Sequence, residues 1–329
     1  MKKVLKMIFR AENALFMILI LVFAFFTLTC GSSFVSMLNI TNTLKSAAPL
    51  AIMLYGVTWV VGSGKTDVAF PEVGSLTSMT FAYLYLSGMS SILAGALGIG
   101  AGLIMGLASA FLIIKCKFHP LISTIAVSTA GGALAISYSG GASIKLSAIA
   151  SKTLIYQLCK INIGPIPMIF IIAVVIGVVM WFVQDKTRFG QYIYALGDNP
   201  QAVKEAGVAI WKVDLVLYLV SALCAAFAGL VYTVTVYTSG QPIMGTSFFL
   251  NGFTIVFLGA LAIKLGKCNI FGTLVSAIIL SCLTNGLTQL GARYTVTQLS
   301  KGILLLAGIG VVTFTRRARV GKAGALKYE

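Results

Sequence analysis

Apolar residues run along the chain in blocks of roughly 20, the length of one helical crossing of a bilayer, separated by short polar connections. Ten such blocks are found, at 12–30, 46–62, 72–88, 91–114, 120–138, 166–184, 213–237, 248–264, 270–290 and 298–315. They predict an all-α, polytopic membrane protein with about ten transmembrane helices. What remains is too small for a second globular unit, so residues 1–329 are expected to form one transmembrane domain. The first block, from Ala14 to Cys30, is long enough to span and lacks an A-x-A-like end, which predicts a retained helix rather than a cleaved leader.

Composition sharpens this picture. The chain is 58% hydrophobic and 10% charged, whereas soluble domains carry about 25% charged residues. The net charge of +16 would suggest nucleic acid in a soluble protein, but here the basic residues stand between apolar blocks, where orientation rules put them. Ten crossings place both termini on one side. Eighteen Lys and Arg fall on that side, five fall opposite (Lys45, Lys145, Lys152, Lys160 and Arg293), and Lys301 lies near the start of the last block, which accounts for all 24. Positive-inside bias therefore predicts cytoplasmic termini, and no nucleic-acid partner.

Three connections stand out under this topology. The longest internal one on the cytoplasmic side is 185–212, and the largest external one is 139–165, whose partly apolar sequence predicts a short helix at the outer surface. The connection at 63–71, SGKTDVAFP, sets polar residues and Pro71 directly against the next block and predicts a broken helix. Such breaks are tolerated at membrane depth only where they line a cavity or are buried in protein.

Enzyme chemistry finds little support. GSGKT at 62–66 imitates a phosphate loop, but the full pattern needs Gly where the chain has Trp59, and no βαβ context surrounds it. Gly98, Gly102 and Gly106 form small-x-x-x-small pairs inside one block, a pattern for close helix packing. The single histidine, His119, has no second partner for a metal or a dyad, and is expected at a membrane interface. The six cysteines show no C-x-x-C spacing and are expected as small buried hydrophobes. Of eight acidic residues, only Asp67 and Glu72 stand where they reach membrane depth, which argues against a carrier driven by an ion gradient. With Asn251, they are the polar residues near span starts that offer a pathway its hydrogen-bonding groups, although structural N-capping is the favoured reading of all three.

The polar patch ALGDNPQAVKEAGVAIWKVDL, 195–215, lies in the 185–212 connection. Asp198 or Asn199 suits an N-cap, Pro200 the first helical position, and Gly207 a left-handed stop, which predicts a short helix over 200–206. Its apolar Ala202, Val203 and Ala206 leave Gln201, Lys204 and Glu205 on the more polar side. A helix so short needs tertiary support, from its own domain or a docked partner.

The stretch 187–233, beginning TRFGQYIYALGDNPQAVKEAGVAI, resembles the cytoplasmic loop and following helix of the permease subunits of ribose-type sugar ABC importers. KFHPLISTIAVSTAGGALA at 117–135, IGPIP at 163–167, the Gly-rich segment 255–287 ending in NGL, and Gln298 followed by Lys301-Gly302 extend the resemblance over most of the chain. Around 63–74 and 259–260 the sequence departs from the family pattern, which bears on substrate rather than fold. The resemblance implies a bacterial inner-membrane permease without a nucleotide or catalytic site and with no cofactor of its own. It also implies a second permease copy in a homodimer, cytoplasmic ATP-binding subunits that carry ATP and Mg, and an external solute-binding protein. The segment 198–207 becomes a coupling helix, with Asp198, Asn199, Pro200, Lys204, Glu205 and Gly207 as its functional residues. Ribose-like pentoses or hexoses are the expected cargo. Nucleosides, branched-chain amino acids or a signalling furanose are alternatives for the same machinery, and an ion-coupled secondary carrier or a scaffolding protein are alternatives of another class.

Overall fold

A computed structural model describes residues 14–146, 150–261 and 266–325. Glu12 and Glu329, both expected near the ends, lie outside the described residues. The chain is helical almost throughout. Helix α1 covers Ala14–Cys30, α2 Met37–Gly62, α3 Phe70–Leu86, α4 Ser91–Ile114 and α5 Pro120–Ser137. The expected surface helix of the 139–165 connection is α6, Leu154–Lys160, followed by α7, Met168–Lys186. Two short helices, α8 (Arg188–Asp198) and α9 (Pro200–Glu205), precede α10 (Ile210–Val231), α11 (Gly245–Gly259), α12 (Ile270–Gln289) and α13 (Tyr294–Ala325).

Among the described residues, seven helices are long and apolar enough to cross a membrane: α1, α2, α4, α5, α7, α10 with its π-helical extension to Val236, and α12. The other three expected crossings fall on α3, α11 and α13. Helix α3 is dense in Ser and Thr, and these are buried against neighbouring helices rather than turned outward, so its low hydropathy reflects a place inside the bundle.

Helices α2, α3 and α10 form the centre. From Ala47 to Val60 every residue of α2 is buried, including Pro49 inside the helix. Helices α1, α4, α5 and α7 surround this centre and turn long apolar side chains outward, Leu28 (85% exposed) and Ile92 (71%) among them. In a membrane protein such a face meets lipid. Among the described residues, four two-residue strands, which the apolar pattern did not predict, tie down the far end of the bundle. Strand β1 (Ile144–Lys145) pairs antiparallel with β4 (Ser239–Gly240), and β2 (Asn162–Ile163) forms a hairpin with β3 (Ile166–Pro167).

Burial sorts the cysteines. Cys159, Cys224, Cys268 and Cys282 are buried, as expected of small hydrophobes; Cys116 is exposed in the turn between α4 and α5. His119 closes the same turn as the N-cap of α5, its Nδ1 accepting the Leu121 N–H at 3.3 Å.

Candidate functional site

Helices α8 and α9 form a hairpin at the end of the bundle where α2 stops and α10 and α12 begin. Of the two candidate caps, Asn199 is the one used. Its Oδ1 accepts the N–H groups of Gln201 and Ala202, both at 3.1 Å, and Pro200 follows as the first helical residue. Gly207 has φ +77°, its N–H donates to the Lys204 carbonyl at 3.0 Å, and the Val208 N–H donates to the Val203 carbonyl at 3.3 Å. This pair of bonds is the Schellman closure of a helix C-terminus. Both ends of a six-residue helix are thus fixed by local chemistry.

Only Val203 of α9 is buried, while Gln201, Ala202, Lys204, Glu205 and Ala206 are exposed. The expected apolar face therefore narrows to one anchor, because α9 stands off the bundle and touches it at a single point. Glu205 accepts a hydrogen bond from Gln201 at 2.9 Å. Asp198 ends α8 and pairs with Lys267 at 2.7 Å, and the Lys267 ammonium also lies 5.3 Å from the Tyr194 ring centroid. Asp198 thus ties the hairpin to the chain leading into α12.

Helix α8 sits on the bundle through Gly190, Ile193 and Leu196, which are buried. Gly197 lies so close to the end of α2 that an added Cβ would collide with the Gly62 carbonyl, so the hairpin and α2 abut backbone to backbone.

The connection 63–69 lies beside the hairpin, and α10 holds it at three successive turns. Asp214 pairs with Lys65, the Tyr218 hydroxyl donates to the Thr66 carbonyl at 3.2 Å, and the Ser221 hydroxyl donates to Asp67 at 2.6 Å. The other Asp67 oxygen accepts the Ala69 N–H at 2.9 Å, just before α3. Asp214, Tyr218 and Ser221 fall at i, i+4 and i+7, one helix face. The expected break between α2 and α3 is therefore present and held against α10, with Ser63, Asp67 and Ala69 buried and Gly64 exposed.

The three pathway candidates separate. Asp67 is buried with both oxygens engaged. Glu72 sits in the first turn of α3, facing Gly132 of α5 and Gly245 of α11, and its Oε2 is buried without a hydrogen bond. Asn251 alone lines the polar cavity of the bundle, and its Oδ1 is likewise buried without a hydrogen bond. That cavity has a volume of about 450 Å³ and lies between α2, the turn after α10, α11, α12 and α13. At one wall the Asn285 amide donates to Asn39 at 2.7 Å and to Thr43 at 2.5 Å.

The sequence model of the permease component of branched-chain amino acid transport systems matches residues 39–309. The chain belongs to this permease family. It is similar to the ribose import permease protein RbsC of Bacillus subtilis (strain 168), with 30% identity over 84% of this chain and 85% of that one. The galactofuranose transporter permease protein YtfT of Escherichia coli (strain K12) is 27% identical over 80% of this chain and 76% of its own. The fructose import permease protein FrcC of Rhizobium meliloti is 26% identical over 91% and 84%. No solved structure matches. The permease is a multi-pass protein of the bacterial inner membrane.

Two features of the permease escaped the sequence reading. Helix α8 left a signal in its Gly190, Ile193 and Leu196 spacing, an i, i+3, i+6 stripe inside a connection otherwise read as polar. The polar cavity left only Asn251 as a signal, because Asn39 and Asn42 on α2 and Thr284 and Asn285 on α12 read as isolated interruptions of two apolar helices until the fold gathers them.

Proposed function

We propose that this chain is the membrane-spanning subunit of an ATP-driven importer of simple sugars, with α9 as the helix that docks on a cytoplasmic ATP-binding subunit. The observation that carries this reading is the capped and Schellman-closed α9, which presents Gln201, Lys204 and Glu205 outward while Val203 and the Asp198–Lys267 pair fix it to the bundle. A helix pinned at both ends passes on a rigid displacement, whereas an open loop absorbs it. The Lys and Arg bias supports a cytoplasmic position for the hairpin and for both termini.

Two copies form the pathway, two ATP-binding subunits with ATP and Mg sit below, and a solute-binding protein delivers cargo from outside. Closure of the ATP-binding pair moves α9 and α10. The Asp214, Tyr218 and Ser221 face carries the motion to the 63–69 connection and so to the start of α3. No bond of the cargo is made or broken on this chain.

The names of the relatives, for ribose, galactofuranose and fructose, support a sugar, as does a cavity whose wall sets amides and hydroxyls among apolar and aromatic side chains. The description of the family favours a second cargo, branched-chain amino acids.

Reconstitution with the ATP-binding subunit and the binding protein in proteoliposomes tests the reading. D-ribose or D-fructose uptake is expected to require ATP and to exceed L-leucine uptake. Uptake driven by an ion gradient without ATP would make the chain a secondary carrier. Lys204→Glu is expected to leave the isolated permease as stable as before and to reduce co-purification of the ATP-binding subunit.

A further inference from the structure

The polar cavity contains a charge that no described residue neutralises. Lys301 lies seven residues into α13, about 10 Å from its start, lines the cavity, and is only 7% exposed. No acidic side chain and no hydrogen-bond acceptor among the described residues engages its ammonium. The Lys301 ammonium is not among the shut-in polar atoms, so it reaches the cavity rather than dry protein, and intramembrane cations mark pathways far more often than packing. Part of the polar wall satisfies itself: Asn285 bonds Asn39 and Thr43, and the Gln289 amide donates to Asn39 at 2.7 Å. Lys301 and Asn251 both line this cavity, and the Asn251 Oδ1, shut in by its neighbours, has no hydrogen-bond partner.

The cavity lies toward the end of the bundle away from the α8–α9 hairpin. Its wall includes Asn39 near the start of α2 and Thr288 near the end of α12, whereas Gly62 and Cys268, at the opposite ends of those elements, meet the hairpin. Its volume of about 450 Å³ falls in the range of ligand sites, about 300–1,000 Å³.

We propose that this cavity is the cargo's station in the membrane domain, built for a polyhydroxylated solute and closed to cations, with Lys301 donating to the solute's hydroxyl oxygens. The proposal rests on the sugar reading for the solute, but not for the charge. A fixed positive charge in a low-dielectric wall repels cations strongly, so the same side chain that holds a neutral sugar keeps ions from following it. The outward position suits a station that receives cargo from a binding protein.

The test has two arms. In the first, Thr284→Cys is introduced into the cavity wall and its reaction with a negatively charged methanethiosulfonate is compared with that of a positively charged one, above the wild-type background. The anionic reagent is expected to react severalfold faster, with the preference lost in Lys301→Met and kept in Lys301→Arg. Absence of reaction, or a preference indifferent to Lys301, overturns the proposal whatever the cargo is. In the second arm, the assembled complex with its ATP-binding subunit and binding protein is given D-ribose. Lys301→Met is expected to lower uptake about tenfold, the loss of one charge-assisted hydrogen bond, while stimulation of ATP hydrolysis by the loaded binding protein persists and Lys301→Arg restores uptake. Parallel loss of uptake and stimulation, with no rescue by Arg, makes Lys301 structural and overturns the proposal. A wild-type complex that ignores D-ribose counts against the sugar reading alone, because the first arm uses no cargo.

Discussion

The Lys65 ammonium and the Asp214 carboxylate form an ion pair across 149 positions of sequence, with side-chain exposures of only 20% and 9%. The pair fastens the connection between α2 and α3 to the first turns of α10, immediately after the α9 hairpin. Lys65→Met strands a largely buried carboxylate and is expected to destabilise the permease by about 2 kcal/mol, read as a lower Tm in detergent. The double variant Lys65→Met/Asp214→Leu, which removes both charges, is expected to recover most of that loss. Additive losses would mean that the two side chains do not stabilise each other.

Gly207 separates backbone conformation from packing. Its φ is +77°, and a Cβ built there meets nothing within 4 Å, so a substitution suffers only from the left-handed backbone. That penalty is about 1–2 kcal/mol for an ordinary L-residue and is eased for Asn. Gly207→Val is expected to loosen the C-terminal closure of α9 and reduce uptake more than ATP hydrolysis, while Gly207→Asn stays near wild type. Wild-type coupling in the Val variant would sink the idea that a fixed α9 terminus transmits the motion.

Glycines of α4 give a packing prediction with an internal control. A Cβ on Gly106 would collide with Ala222 of α10, whereas one on Gly100 meets nothing within 4 Å. Gly106→Leu is expected to lower Tm in detergent strongly and Gly100→Leu hardly at all, since the latter faces outward. Equal effects would show that helix propensity, rather than the α4–α10 approach, governs both sites.

What the sequence revealed follows from the range of each interaction. Asn199, Pro200 and Gly207 were legible because capping acts within a few residues, and the α4 glycines because close approach leaves a four-residue period. Apolar blocks gave the membrane class directly, but the number of crossings less so: buried Ser and Thr on α3 and the short α11 blur the hydropathy signal. Asp67 carried no hint of Ser221, 154 residues away. Lys301 looked like a residue at the mouth of the last helix, and only the packing of α13 against the polar wall turns it into a buried charge.

Thiol chemistry tests the orientation on which the docking proposal depends. Cys116 is exposed in the α4–α5 turn, at the same end of the bundle as α9, because Gly106 of α4 meets Tyr218 near the start of α10. Cys159, on α6 at the opposite end, is buried, and burial pushes its thiol up to about 11. The thiolate is the reactive form, so a raised value keeps Cys159 protonated and unreactive near neutrality, with reactivity climbing about tenfold per pH unit toward 11. In a Cys30→Ser background, a membrane-impermeant maleimide at pH 7 is expected to label inside-out vesicles and spare right-side-out ones, with the signal abolished by Cys116→Ser. Raising the pH to 9 is expected to bring up slow labelling of Cys159 from the outside only. Labelling of Cys116 in right-side-out vesicles would invert the topology, place α9 outside the cell, and with it remove the docking role from Lys204 and Glu205.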